Sequence, residues 1–395
     1  MKGSAKIKQR SVAVVLETGN PYQRKMIRGV ADYANSTCGW SLYVEEDPLD
    51  KLPDLRTWSG HGIITTFTEQ RFAETIRGLP IPIVGVEGGY HWYEEESGIP
   101  YFSTDNEAVA RMAAEHLLGC GYPALAYCGL PRNRSTMWSA QRAEALKLIA
   151  AEAGVPFHSH VGRHTSPRQW AELQEKVCRW LRSLKKPVGV LAANDARARH
   201  VLEACRTIGA RVPEDVAVIG VDNDELMCEL ANPPLSSIEQ GAWNIGFMAA
   251  ERLDRMMDGK KPGCLANLVP PERVIARRST DYLAVGDASV TAAIAFIREH
   301  ACERIGVADV LRAVHVSRST LEARFRKFLH KTIHDEIQQT MLARAQRLLI
   351  ESDLPLKQIA EEAGFSHAQH LSRVFRQRLG RTPGEFRQSV RHRLH

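Results

Sequence analysis

Four side chains near the C-terminus have the types and spacing needed to contact nucleotide bases. Gln369, Ser372, Arg373 and Arg376 recur at intervals of three and four residues, so they share one face of a helix. Glutamine and arginine can bond bidentately to adenine and guanine in the major groove. The opposite face is predicted to be buried and carries Leu371, Val374 and Phe375. This pattern predicts a helix over 367–379 that enters a groove of DNA.

A similar pattern lies about 50 residues earlier in the chain. Arg318, Ser319, Glu322 and Arg326 are predicted to face outward from a second helix, with Ser317 as its N-cap. Short helices over 307–313 and 356–363, with turns at 314–316 and Gly364, complete two helix-turn-helix units. A helix over 333–352 would link them. At about 1.5 Å per residue it spans roughly 30 Å, close to one turn of B-DNA.

The positive charge of the chain is concentrated in the same region. Residues 288–395 contain 18 Lys and Arg against 11 Asp and Glu, whereas the other 287 residues contain 34 against 35. Such clustering adds sequence-independent attraction to a polyanion. Candidates for phosphate contacts are Arg326, Lys327, Arg376 and Arg378. The alternative is that these side chains are only solvated.

Residues 290–390 resemble the DNA-binding domain of the arabinose-regulator (AraC/XylS) family. The motifs that carry the resemblance are Gly364-Phe-Ser-His-Ala-Gln-His-Leu-Ser-Arg-Val-Phe-Arg376 and Gly380-Arg-Thr-Pro-Gly-Glu-Phe-Arg387. The resemblance implies that bases are contacted by Arg318, Ser319, Glu322, Gln369, Ser372 and Arg373. Ser319 and Ala323 depart from members that have Arg or a large aromatic there, so the first unit is expected to serve mainly in gripping phosphates.

A second set of polar residues follows short apolar runs in the first 240 residues. The predicted strands are 11–17, 41–46, 62–67, 83–87, 124–129, 188–194 and 216–222, alternating with predicted helices 22–34, 106–118, 139–152, 166–184 and 196–208. This alternation predicts an α/β domain of parallel sheets, and the number of strands predicts two lobes. Residues 101–106 are predicted to cross between the lobes and 235–240 to return.

Open α/β sheets bind ligands at the C-terminal ends of their strands. The candidate ligand-binding residues at those ends are Tyr22, Arg24, Tyr90, Trp138, Arg142, Asn194, Asp222 and Gln240, with Gly88 and Gly89 beside Tyr90. Carboxylate, amide and guanidinium groups can bond to vicinal hydroxyls, and an aromatic ring can cover the C–H face of a sugar. The pattern therefore predicts a small, polar, largely closed site for a neutral polyol.

Several of these residues have a purely structural alternative. Asp195 is expected to be a helix N-cap rather than a ligand, and Asp105 and Asn106 have the same interpretation. Asp222 lies among other acids and could cap a helix instead. Arg142 could be solvated on a helix face, and Trp138 could belong to the core.

Residues 10–280 resemble the periplasmic-binding-protein-like sensor domain of the lactose/galactose-repressor family. The motifs are Ala193-Asn-Asp-Ala-Arg-Ala198, Val218-Ile-Gly-Val-Asp-Asn-Asp224 and Leu235-Ser-Ser-Ile-Glu-Gln240. The resemblance implies sugar contacts at Arg142, Asn194, Asp222 and Gln240. The N-terminal DNA-binding segment of that family is not expected, because the chain begins directly at the first strand.

The two resemblances together define the expected architecture. It is a two-lobed α/β sensor domain over 10–281, a linker over 282–289 and an all-α domain with two helix-turn-helix motifs over 290–390. The combination resembles the family of xylose-operon regulators, which implies D-xylose as effector, activation of pentose-catabolic genes, a homodimer on operator or promoter DNA, and contact with RNA polymerase. The alternatives are a sugar-binding receptor whose basic tail docks on a protein, and an enzyme that uses Asp222 as a base.

Composition and the absence of certain motifs argue against several other classes of protein. The eight cysteines are scattered without metal-ligand spacing, so we expect buried reduced thiols in a cytosolic chain. No apolar run approaches the roughly 18 residues of a membrane span. Because no nucleophile–base pair, phosphate loop or metal cluster is visible, neither catalysis nor a cofactor or metal is expected.

Overall fold

The computed structural model describes residues 10–44, 55–66, 74, 76, 78–87, 98–133, 136–163, 167–280, 287–329, 331–352 and 354–391. The chain divides into two compact units. One comprises residues 1–118 and 122–282, and the other comprises 119–121 and 283–395. The first unit contains two parallel-type sheets, and the second is helical.

The first sheet of the larger unit has the strand order β11-β5-β4-β3-β1-β2. All of its registered strand pairs are parallel. Its strands are β1 (Ser11–Val15), β2 (Ser41–Val44), β3 (Gly62–Thr66), β4 (Ile83–Val86), β5 (Tyr101–Thr104) and β11 (Ala266–Val269). The central strands β1, β3 and β4 are buried along almost their whole length, which explains their continuous apolar sequence.

Two helices pack closely on each other beside this sheet, α1 (Pro21–Tyr33) and α7 (Ala242–Met257). Asn20 caps α1 by accepting a hydrogen bond from the backbone N of Tyr22. A Cβ at Gly246 would lie 1.9 Å from the carbonyl oxygen of Met26, and one at Gly29 would lie 2.1 Å from that of Trp243. The two glycines therefore permit this close backbone approach. We call this sheet with α1 and α7 the first lobe.

The second sheet has the order β12-β10-β9-β8-β6-β7, in which only β12 is antiparallel to its neighbour. Its strands are β6 (Leu125–Gly129), β7 (Phe157–Val161), β8 (Val188–Ala192), β9 (Val216–Val221), β10 (Ser236–Glu239) and β12 (Arg273–Ile275). The associated helices are α2 (Asn106–Gly119), α3 (Met137–Glu152), α4 (Trp170–Ser183), α5 (Asp195–Ile208) and α6 (Glu225–Glu229). This sheet with α2–α6 is the second lobe.

The described chain passes between the two sheets three times: after β5, after β10 and between β11 and β12. The residues predicted as the first crossing are partly a strand, because Tyr101–Thr104 pairs with β4 and β11. The predicted return is also a strand, Ser236–Glu239, and the chain turns back only at Gln240 and Gly241. Strands β5, β7 and β11 were not among the predicted strands.

The three passages are hydrogen-bonded to one another. The backbone N of Asp105 donates to the carbonyl oxygen of Val269 over 2.9 Å, and the backbone N of Glu272 donates to that of Glu239 over 2.8 Å. Gly241 has a φ of 73°, and a Cβ there would lie 3.1 Å from the carbonyl oxygen of Pro270. A glycine is required at this bend. The three passages lie side by side, and we call them the hinge between the two lobes.

The smaller unit is helical, as predicted. Its helices are α8 (Ala288–His300), α9 (Val307–Val314), α10 (Arg318–Leu329), α11 (Ile333–Glu351), α12 (Leu356–Glu362), α13 (Ala368–Leu379) and α14 (Pro383–Arg391). Asp287 caps α8 by accepting from the backbone N of Ser289 and Val290. The helix therefore begins inside the predicted linker 282–289, whose residues 282–286 lie outside the described ranges. Apolar residues of α11, such as Ile337 and Ala345, are buried among the other helices.

The cysteines differ in part from the expectation. Cys120, Cys128, Cys178, Cys205 and Cys228 are buried free thiols, whereas Cys264 and Cys302 are exposed. Within the described ranges, no helix is long and apolar enough to span a bilayer.

Candidate functional site

A cavity of about 530 Å³ lies between the two lobes, within the usual size range of small-molecule sites. It is lined by the loops that follow β1, β4, β5, β8, β9 and β10, all at the C-terminal ends of strands. Both lobes contribute polar side chains. The predicted residues that the structure brings together here are Tyr22, Trp138, Arg142, Asn194, Asp222 and Gln240.

Arg142 is the central cation of the cavity. It is only 3% exposed, so the alternative of a solvated helix residue is excluded. Its Nε donates to Oδ1 of Asn106 over 2.9 Å, Nη1 to the carbonyl oxygen of Ala193 over 2.6 Å, and Nη2 to Oε1 of Gln240 over 2.5 Å. All three nitrogens are thus held by fixed acceptors, and the guanidinium plane is oriented before any ligand arrives.

Trp138 lies one turn earlier on α3, and its ring centre is 4.7 Å from Cζ of Arg142. The stacking immobilises both groups. The indole is not part of the core. It lines the cavity, where it can cover the apolar face of a sugar ring.

Asp222 continues this network. Its Oδ1 accepts a hydrogen bond from Nε2 of Gln240. The other amide atom of Gln240, Oε1, is the acceptor for Arg142. Asp222 has a φ of 110°, a strained backbone that non-glycine residues rarely adopt, and it directs the carboxylate toward the hinge. The residue that caps α6 is Asp224, so capping does not explain Asp222.

The helix N-cap predicted at Asp195 is one residue earlier, at Asn194, which also lines the cavity. The N-cap of α5 is Asn194, whose Oδ1 accepts from the backbone N of Arg197 over 2.9 Å. Asp195 is 1% exposed and accepts from Oγ of Ser237 and from the backbone N of Asp224. Burial, followed by repulsion from Asp222, raises the pKa of its carboxyl. Asp195 therefore holds the loop after β9 against α5.

The first-lobe wall contains groups that the sequence did not reveal. Oε2 of Glu87 accepts from Nε2 of Gln23 over 3.0 Å and from Oγ1 of Thr66 over 3.2 Å. Burial raises the pKa of the Glu87 carboxyl to about 7. The hydroxyl of Tyr22 lies 2.6 Å from Oγ1 of Thr104. This wall can present a carboxyl group and hydroxyls to a polyol.

Three cavity residues, Glu87, Gln23 and Asn106, were not among the ligand candidates predicted from the sequence. Glu87 ends a predicted strand and has a φ of 60°, which sequence patterns do not show. Gln23 lies inside α1, away from a strand end, although its amide was a visible signal. Asp105 and Asn106 were both expected to be helix N-caps. Asp105 does accept from the backbone N of Ala108, whereas Oδ1 of Asn106 accepts from Arg142 instead.

One predicted ligand residue, Arg24, lies away from the cavity. Arg24 is exposed and folds back onto the carbonyl oxygens of Thr18 and Gly19, at 2.8 and 3.0 Å. It does not line the cavity, because it lies on the exposed face of α1. Tyr90, with Gly88 and Gly89, lies outside the described residues.

Lys25 connects the two lobes at the edge of the cavity. Its Nζ donates to the carbonyl oxygens of Asp222 and Asn223, at 2.9 and 3.0 Å, and lies 3.4 Å from Oε1 of Glu239. The lysine belongs to the first lobe and its acceptors to the second. It was not among the sequence candidates, since a lysine on an amphipathic helix is usually solvated.

In the smaller unit, the first helix-turn-helix comprises α9 and α10. Oγ of Ser317 accepts from the backbone N of Thr320 over 3.3 Å, which confirms the predicted N-cap of α10. Arg318, Ser319 and Arg326 are exposed, whereas Leu321 and Phe325 are buried. Glu322 differs: it is partly buried, and its Oε2 is enclosed without a hydrogen-bond partner among the described atoms.

The second helix-turn-helix comprises α12 and α13. Gly364 has a φ of 85°, and a Cβ there would lie 2.4 Å from the carbonyl oxygen of Ala301, so the turn requires glycine. His367 caps α13 by accepting from the backbone N of His370. Gln369, Arg373 and Arg376 are exposed on α13 and Ser372 is partly exposed.

One phosphate candidate is engaged within the fold. Nη2 of Arg378 contacts Oδ1 of Asp335, a residue of the first turn of α11, in an ion pair. The pair joins α13 to α11, so Arg378 is less suited to a phosphate contact than Arg376. Lys327 and Arg326 remain exposed near the end of α10.

A two-lobed sensor with a polar interlobe cavity, followed by two helix-turn-helix units, defines a ligand-sensing transcription regulator. Comparison with known protein families supports this class over most of the chain. Residues 11–107 match the XylR N-terminal domain, residues 114–280 match the periplasmic binding protein-like domain, and residues 310–389 match a helix-turn-helix domain.

Known relatives extend over nearly the full length. The xylose operon regulatory protein of Escherichia coli K12 is 36% identical over 96% of this chain and 97% of its own, and that of Haemophilus influenzae is 36% identical over 95% and 97%. The solved xylose-binding transcription activator xylR is 36% identical, covers 97% of this chain and 98% of its own, and has a TM-score of 0.64. The chain belongs to the family of xylose operon regulatory proteins.

Proposed function

We propose that the chain is a D-xylose-responsive transcriptional activator in which the interlobe cavity binds the pentose. One observation carries the proposal: Arg142, Gln240 and Asp222 form a continuous hydrogen-bonded chain across the hinge side of the cavity. The opposite wall, contributed by the first lobe, presents Glu87 and Tyr22. A molecule rich in hydroxyls can bond to both walls at once and stabilise one arrangement of the lobes. The names of the relatives point to xylose as that molecule.

The DNA partner is supported by the exposed polar faces of α10 and α13. Gln369, Ser372 and Arg373 are proposed to contact bases, together with Arg318 and Ser319 on α10. Arg326 and Arg376 are proposed to contact phosphates. Glu322 has a weaker case because one of its carboxylate oxygens is enclosed. The major groove is wide enough to admit one helix from each unit.

The remaining parts of the proposal are supported by the chain's membership of the family of xylose operon regulatory proteins. We infer that the chain acts in the cytoplasm as a homodimer, binds an operator or promoter and contacts RNA polymerase. It would have no catalytic activity. Sugar binding is then coupled to DNA binding through its differential affinity for one arrangement of the protein.

The test uses the full-length protein and a fragment of a pentose-gene promoter. Calorimetry with D-xylose, L-arabinose and D-ribose should give tightest binding for D-xylose, and gel shifts should show tighter promoter binding at saturating D-xylose. Asp222→Asn should lose the sugar response, whereas Arg111→Met, at an exposed ion pair on α2, should retain it.

Three outcomes would contradict the proposal. Equal promoter affinity with and without every pentose would exclude sugar-responsive DNA binding. Sugar binding without any DNA binding would favour a receptor that docks on a protein. Conversion of the pentose, seen by NMR and abolished in Asp222→Asn, would favour an enzyme.

A further inference from the structure

A second, smaller cavity lies in the second lobe, outside the interlobe site. Its volume is about 130 Å³, and it is enclosed by the end of β7, the first half of α4 and the first half of α5. Its floor is apolar, with Leu173 and Val177. Its walls carry the basic and amide side chains His160, Gln174, Lys176, Arg197 and His200. No acidic residue lines it among the described residues.

Arg197 is the most informative of these groups. It is 4% exposed, and its guanidinium has no carboxylate partner among the described residues. Nη2 donates to the carbonyl oxygen of Arg163 over 3.0 Å, a single neutral acceptor. A Cβ at Gly162 would lie 3.1 Å from Nη1, so the glycine leaves the room that the guanidinium occupies. A buried charge without an opposite charge is costly, and a bound anion would remove that cost.

The neighbouring side chains complete the wall of this cavity. Oε1 of Gln174 is buried without a hydrogen-bond partner among the described atoms, and because this oxygen is an acceptor, Gln174 could donate to an anion only through Nε2. His160 stacks on Trp180 with ring centres 5.3 Å apart, and His200 meets Trp170 edge-on at 4.9 Å. The aromatic rings hold both imidazoles in place at the wall. Lys176 closes the rim from α4, where it also pairs with Glu172.

The positive field in the cavity acts on both imidazoles. Burial, with the charges of Arg197 and Lys176, lowers the pKa of His160 on β7. Burial, with the charges of Arg197 and Arg199, lowers the pKa of His200 on α5 to about 4. Both rings are therefore neutral at pH 7, and an anion bound between them would oppose the effect of the arginines.

We propose that this cavity is a binding site for a small oxyanion of phosphate type, either free inorganic phosphate or the phosphate group of a monoester. A tetrahedral oxyanion can accept several hydrogen bonds at once, which suits the guanidinium, ammonium and imidazole donors that converge here. The volume fits such a group but not a sugar in addition, so the sugar part of a monoester would extend out past Lys176. The residue that caps α5, Asn194, lines the interlobe cavity, while Arg197 in the same turn lines this one.

The first experiment measures binding to the full-length protein by calorimetry, at constant ionic strength set with sodium chloride. Inorganic phosphate and glycerol 3-phosphate are titrated separately, with acetate as the carboxylate probe. We expect saturable phosphate binding that is at least tenfold weaker in Arg197→Met. Arg206→Met, an exposed ion-paired arginine near the end of the same helix, should bind phosphate like the parent protein. Tighter binding of the monoester would identify an ester as the ligand, and tighter binding of inorganic phosphate would identify the free ion.

The second experiment locates the anion and does not depend on Arg197→Met being folded. NMR titration of the imidazole resonances should show the pKa values of His160 and His200 rising when phosphate is added, while the resonances of the exposed His158 should not respond to phosphate. Lys176→Met, at the rim, should weaken phosphate binding several-fold and leave D-xylose binding unchanged. Absence of saturable phosphate binding, equal binding of acetate, or histidine resonances insensitive to phosphate would each overturn the proposal.

Discussion

Nη2 of Arg142 lies 2.5 Å from Oε1 of Gln240 and joins a helix of the second lobe to the passage that returns the chain to the first lobe. Gln240 donates in turn to Asp222, so both the oxygen and the nitrogen of its amide are engaged and its orientation is fixed. The three residues are far apart in sequence. They form one polar unit that faces the cavity and the hinge together, so a ligand that bonds to this unit can influence the angle between the lobes.

Replacing Arg142 with Met should damage both folding and binding. Removal of one partner leaves Gln240 and the carbonyl oxygen of Ala193 without their donor, so we expect a loss of about 3 kcal/mol in the free energy of unfolding. Calorimetry should show D-xylose affinity reduced by more than tenfold. Arg111→Met on neighbouring α2 is the control and should change neither quantity. Unchanged xylose affinity in folded Arg142→Met would exclude the guanidinium from the site.

Glu87 should make stability depend on pH. Because burial raises the pKa of its carboxyl from 4.5 to about 7, the folded protein keeps this proton to higher pH than the unfolded chain does. The free energy of unfolding should therefore decrease as pH rises from about 4.5 to about 7. Glu87→Gln removes this dependence, and we expect it to be more stable than the parent protein by roughly 3 kcal/mol at pH 8 and nearly equal to it at pH 4.5.

Urea unfolding at both pH values checks this prediction. The control is Glu107→Gln, which removes a carboxyl that is 72% exposed on α2. If the parent protein instead gains stability relative to Glu87→Gln as the pH rises, the predicted direction of the pH dependence is wrong.

Lys25 should stabilise the arrangement in which the lobes are held together. Its ammonium bonds to two carbonyl oxygens of the second lobe, so Lys25→Met should cost about 1 kcal/mol in that arrangement. D-Xylose affinity should fall about fivefold, without a large change in thermal stability. Arg28→Met, an exposed residue one turn further along α1, should keep the parent affinity. An equal decrease in both variants would point to a general charge effect instead.

Arg373 and Arg376 should affect DNA binding in different ways. Both are exposed on α13, but Arg373 aligns with Gln369 one turn earlier on the face predicted to meet bases. Arg373→Ala should cost about 1–3 kcal/mol on the preferred site and relax the preference for one base position. Arg376→Ala should weaken all sequences alike and reduce the slope of log affinity against log salt by about 1. Selection of binding sites from a randomised pool, with gel shifts at several salt concentrations, distinguishes the two. An unaltered sequence profile for Arg373→Ala would reject its assignment to a base.

The local patterns of the sequence predicted most of the elements correctly. The apolar runs at β1, β3, β8 and β9 are buried strands because a parallel sheet covered on both faces needs continuous apolar sequence. β7 was missed because it is an edge strand with the exposed polar sequence Phe157-His-Ser-His-Val161. β11 was missed for the same reason, since it is an edge strand in which Ala266 and Leu268 are exposed.

The sequence alone determined the class of architecture and much of the lining of the interlobe cavity, because strand ends, helix caps and exposed helix faces are local features with characteristic residues. Tyr22, Trp138, Arg142, Asn194, Asp222 and Gln240 could be placed together because parallel strands end at one edge of a sheet. The tertiary structure decided which groups pair. Only folding brings Glu87 into a wall with Gln23 and places Lys25 against carbonyl oxygens of the other lobe. It also encloses Arg197 where no carboxylate of the described residues pairs with it. Burial and long-range contacts set the charge and orientation of these groups, and neither can be derived from sequence spacing.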